Sequence, residues 1–104
     1  MRPGVSRDRI IEAWVVTRLS IHQAFYRPGN HLLYFCDAAN GETSDIVANT
    51  LSSLQSPRVL KPVRIDALGA LFVGIKVIVK QEEFPVINAA LRLSGINVDS
   101  LEDL

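Results

Sequence analysis

The stretch "LFVGIKVIVK", residues 71 to 80, constrains the fold more than any other part of the chain. Leu71, Val73, Ile75, Val77 and Val79 alternate with Phe72, Gly74, Lys76, Ile78 and Lys80, so a strand presents an unbroken apolar row on one face and a half-apolar row on the other. The first row requires a covering layer. The second raises the question of what it meets.

The flanking segments supply partners for this strand. "HLLYFCDA" (31 to 38) is apolar on both faces and suits a central strand, and "VLKPVRID" reads as an edge or bulged strand because Pro62 lacks a ladder donor. "RPGN" (27 to 30) is a turn, with Pro28 fixing its own φ and Gly29 free to take a positive one. In "IIEAWVVTRLSIHQ" (10 to 23), period two places Ile11, Ala13, Val15, Leu19 and Ile21 opposite Glu12, Arg18, Ser20 and His22, which predicts a further strand. Ser6 and Asp8 are the competing helix-start signal.

Two helices complete the pattern. "SDIVANTLSSLQ" has a stripe of Ile46, Val47, Thr50, Leu51 and Leu54, with Thr43 or Ser44 as its cap, and "SP" (56 to 57) stops it. "EEFPVINAALRLS" starts on acidic residues that suit the helix dipole, tolerates Pro85 in its first turn and closes at Gly95. "INVDSLEDL" reads as a short edge strand or a docked acidic tail.

The order strand, strand, helix, strand, strand, helix predicts an α+β two-layer sandwich: a mostly antiparallel four-stranded sheet with two helices on one face, of which a ferredoxin-like arrangement is a variant. A chain of 104 residues makes one domain, read as an N-terminal arm over 1–9, a body, and an acidic tail over 96–104. The two strand-strand-helix units resemble each other weakly through "DIVANTL" (45 to 51) and "PVINAAL" (85 to 91). By element order alone the chain resembles pterin carbinolamine dehydratases and the ligand-binding domain of arginine repressors. The clustered catalytic histidines of the first have no counterpart here, and "HLLYFCDAANGE" lacks the paired aspartates of the second. Neither function is carried over.

With 48 % hydrophobic residues and zero formal net charge, the chain is not of the disordered class. The balanced charge also argues against general phosphate binding. Cys36 is the single cysteine and cannot form an internal disulfide, no Cys/His spacing suits zinc, and charged residues interrupt every apolar run. These features point to a cytoplasmic protein with no cofactor, no metal and no membrane contact.

Function is then expected on the uncovered sheet face, which on this reading carries Trp14, Arg18, Tyr34, Phe72, Lys76 and Ile78. So apolar a face calls for a partner, and a second copy of the chain is the first candidate, with a small-molecule site where subunits meet. Two alternatives stand beside this. One is a small enzyme or ligand site built on His31, Cys36 and Asp37, needing His22 or His31 as base to the thiol. The other is a single-stranded nucleic-acid platform, with the aromatics stacking on bases and Arg64, Lys76 and Lys80 on phosphates.

Overall fold

The computed structural model describes residues 6–37 and 41–102. Eight main elements follow one another: α1 (Arg7–Val16), β1 (Gln23–Arg27), β2 (Leu32–Phe35), α2 (Glu42–Ser53), β3 (Lys61–Ala67), β4 (Ala70–Ile78), α3 (Phe84–Leu93) and β5 (Asn97–Ser100). A 3₁₀ turn over Pro28–Asn30 joins β1 to β2. The protein is α+β, with the expected ββαββα order over β1 to α3. Among the described residues it adds a helix before that unit and a strand after it, making five strands and three helices where the expected sandwich has four and two.

The strands run β3-β4-β2-β1-β5 across the sheet, antiparallel except for the parallel β1–β5 pair. The expected pair of helices, α2 and α3, covers one face: Val47, Leu51, Ile87 and Leu91 pack with Ala24, Tyr26, Leu33, Phe35, Val77 and Val79. Tyr26 ties this layer further, stacking on Phe84 at 4.0 Å between ring centres and donating its hydroxyl to the Val79 carbonyl at 2.7 Å.

The main correction lies at the N-terminus, where 10–23 was expected to be a strand. Ser6 caps α1 by accepting the Arg9 N–H, and Ile11, Glu12, Val15 and Val16 face inward at helical spacing. A charged residue thus stands inside the buried stripe and disguises it as alternation. The β-branched residues that favoured a strand are overruled by tertiary packing. The true partner strand, β1, begins where the expected one ends.

Consequently the face expected to be open is largely covered. Ile11, Val15 and Val16 of α1 pack on Phe25, Tyr34, Val63 and Ile65, with Phe72 and Leu101 at the margin. Gly74 lets α1 and the turn after it lie close on β4: a Cβ there would come within 2.6 Å of Leu19 Cδ1, so the end of the Leu19 side chain would have to move aside.

Smaller corrections follow the same logic. Residues 1–5 of the expected arm lie outside the described residues, and Arg7–Arg9 form the first turn of α1. Of the two readings of the C-terminal segment, the short edge strand is the one found: Asn97–Ser100 is β5, at the edge of the sheet beside β1, and 103–104 lie outside the described residues. Helix α2 is not capped by Thr43 or Ser44; the Asp37 carboxylate accepts both the Ser44 N–H, at 2.9 Å, and the Ser44 hydroxyl.

Candidate functional site

The residues expected to form one open patch divide into three groups. Tyr34 is fully buried beneath α1, and Phe72 is half-buried beside it. Trp14 lies on α1, edge-on to Phe25, with the Arg18 guanidinium 4.2 Å from its ring centre. Lys76 is bound to Glu12, and only Ile78 remains apolar and well exposed on its strand face. Aromatic rings placed in this way do not form a shared stacking platform for bases.

Beneath α1 lies a polar network that no pattern in the sequence announced. The Tyr34 hydroxyl donates to Glu12 Oε2 at 2.8 Å, Lys76 Nζ donates to the same oxygen at 3.0 Å, and Arg27 donates to Asp8 at 2.9 Å and to Asn30 at 3.1 Å. Burial, and then the Glu12 bond, push the Tyr34 phenol well above its ordinary range. A phenol held protonated and enclosed in this way positions α1 on the sheet rather than serving as a base.

His31, Cys36 and Asp37 are not brought together. His31 precedes β2, in a left-handed turn conformation with φ 54°, while Cys36 and Asp37 follow it. The intervening strand separates them by about 15 Å at the usual rise per residue. Burial and the Asp37 charge raise the Cys36 thiol pKa, the reverse of nucleophile activation. Asp37 is engaged in capping α2. Nor do His22 and His31 face each other, because they lie at opposite ends of the β1–β2 hairpin. Among the described residues no group of three or more His, Cys, Asp or Glu side chains could hold a metal ion, and no helix is long and apolar enough to cross a membrane.

The bare surface is elsewhere. Helices α2 and α3 cover Ile75, Val77 and Val79 of β4 and the residues just after it, but Leu71 and Val73 in the same row are 56 % and 48 % exposed, contrary to the expectation that this whole row meets the helices. Across from them on β3, Pro62, Arg64 and Asp66 are exposed, paired in register with Ile75, Val73 and Leu71. The β3–β4 hairpin therefore projects past the helical layer with one face uncovered. Its turn has positive φ at both Leu68 and Gly69, 55° and 74°, the type I′ geometry that matches strand twist.

Among the described residues β3 is also a free edge, and its backbone directions follow from the register. Val79 N–H donates to the His31 carbonyl, so odd-numbered residues of β4 point their backbone groups toward β2 and even-numbered ones toward β3. Val63 pairs with Gly74 and thus faces β4, which turns the N–H and C=O of Arg64 and Asp66 outward. Pro62 shares that outward parity, so its missing N–H leaves the β3–β4 ladder intact.

A groove of about 390 Å³ opens at the end of the sheet, lined by Leu32, Arg58, Val59, Lys61, Lys76, Val77 and Ile78. Arg58 is held there by both carboxylate oxygens of Glu83, with which it forms an ion pair, and it also donates to the Ile78 carbonyl at 3.0 Å. The Arg58 bonds hold the Glu83 carboxyl down to about 2. Lys61 has no carboxylate partner among the described residues.

Comparison of the chain with protein-family models, with curated proteins and with solved structures finds no match.

Proposed function

We propose that this protein is a self-associating binding module whose working surface is the β3–β4 hairpin. The observation that carries this reading is the coincidence of a free strand edge with a bare apolar face. Outward N–H and C=O groups on β3 adjoin exposed Leu71 and Val73, and Leu68 at the tip is 92 % exposed. An edge of this kind is a template for another strand, and an apolar face beside it favours contact over hydration. A copy of the same chain is always available to fill it.

Solution mass measured by light scattering over a range of concentrations tests the reading. The expected result is a species of twice the 11.5 kDa chain mass, weakened by Val73→Glu, which introduces a charge into the apolar face. A chain that stays monomeric at millimolar concentration overturns it.

A second reading is favoured by the groove. Val59 and Ile78 are 74 % and 54 % exposed along its walls, with the Lys61 ammonium at its side, which suits a small apolar molecule carrying one carboxylate. Decanoate titrated by calorimetry tests this: binding should be lost in Ile78→Glu and weakened in Lys61→Glu. Equal binding by both variants would count against the groove.

A further inference from the structure

We infer that two copies of this chain join through β3 in a single antiparallel register that places Arg64 opposite Asp66 of the partner subunit. The inference rests on the self-association reading and specifies its geometry. Because the outward backbone groups belong to Pro62, Arg64 and Asp66, hydrogen-bonded pairs across a β3–β3 junction can form only between these residues and their equivalents. Few registers are available. Setting Arg64 against Arg64 of the partner subunit opposes like charges and also pairs Pro62, which has no N–H, with Asp66. Setting Asp66 against Asp66 opposes like charges again, and setting Pro62 against Arg64 loses a donor at each pair. When Arg64 meets the partner's Asp66, the two-fold axis passes beside Ile65, each pair exchanges both backbone bonds, and each carries opposite charges.

The two faces of the strand agree with this register. On the α1 side Ile65 meets Ile65 of the partner subunit and Val63 meets the partner's Ala67, so the apolar row of one sheet continues into the next. On the other side both ion pairs lie on the bare floor that Leu71 and Val73 share with their counterparts. The turn at Leu68 and Gly69 of the partner subunit would stand beside Pro62 and Lys61, bringing the groove to the subunit junction.

The test exploits the crossing of charges between chains. Arg64→Asp alone opposes two carboxylates at each pair, and Asp66→Arg alone opposes two guanidinium groups. Each should raise the dimer dissociation constant by roughly tenfold or more at low salt. Both positions are exposed, so each variant should keep the wild-type circular dichroism spectrum. Mixing the two variants should restore a dimer, now one chain of each kind, because like charges no longer meet across the whole junction: one pair joins the two unchanged residues and the other joins the two substituted ones, each of opposite sign. The double variant Arg64→Asp/Asp66→Arg should dimerise by itself. A wild-type dimer indifferent to both single substitutions, or weakened variants that fail to recover on mixing, overturns the register while leaving self-association standing. A monomeric wild type overturns both.

Discussion

On one side of the sheet, α2 and α3 lay Val47, Leu51, Ile87 and Leu91 on a floor of aliphatic and aromatic side chains. On the other, α1 sets Ile11, Val15 and Val16 around a buried Glu12, with Tyr34 and Arg27 enclosed beside it. The first layer is held by area removed from water and tolerates no void. The second is held by fewer apolar contacts and by hydrogen bonds whose direction fixes where the helix sits, since an unpaired charge there would be costly. Non-directional and directional adhesion thus divide the work between the two faces, and the contrast explains why one layer is legible as a hydrophobic stripe and the other is not.

The contrast is broken most severely from the apolar side. Leu51→Ala, at a fully buried position, should cost about 3 kcal/mol in denaturant unfolding, through the apolar burial lost and the cavity left behind. Tyr34→Phe should cost about 2 kcal/mol, through loss of the donor to Glu12 and of the acceptor for Arg27 with little change in volume. Amide exchange should show the extra opening concentrated in α1 after Tyr34→Phe, and spread over the whole sheet after Leu51→Ala.

Acid sharpens the comparison from a different direction. Glu83, at the start of α3, is held at about 2 by its Arg58 partner against an ordinary value of 4.5. Its contribution to stability is therefore full above about pH 4.5 and declines as the pH falls toward 2. Glu83→Gln should flatten the stability profile across that window. At neutral pH it should cost about as much as Tyr34→Phe, because the amide still accepts the Lys80 N–H but leaves the Arg58 guanidinium without its carboxylate. The smallest effect belongs to the bare hairpin: Leu71→Ser should cost monomer unfolding no more than about 1 kcal/mol, since more than half of that side chain stays exposed on folding.

How far the sequence could be read follows from the same contrast. The helices at α2 and α3, the turn at Pro28–Asn30 and the alternation of β4 were legible because each is written in local terms: apolar spacing, proline geometry and strand period. Helix α1 was not, because its inward stripe contains Glu12, whose partners Tyr34 and Lys76 arrive from distant strands. Misplacing α1 then reversed the account of β4, leaving Phe72 apparently bare and Leu71 and Val73 apparently covered. The short β1 was absorbed into the strand expected before it, although "AFY" ahead of "RPGN" carried its signal. Cys36 and His31 share one short segment of sequence yet leave a strand at opposite ends, so proximity along the chain gave no proximity in space.

By itself the amino-acid order determined that this chain builds an α+β sheet protein with a doubly apolar central strand, because strand and helix periods are properties of neighbouring residues. Only the folded chain decided which half of each β4 face is covered, since that depends on where helices of ten or so residues end over longer strands. It also decided that β3 is a free edge and which of its backbone groups point outward. Those directions are set by pairing with β4 and β2, and pairing is a relation between segments that no single segment contains.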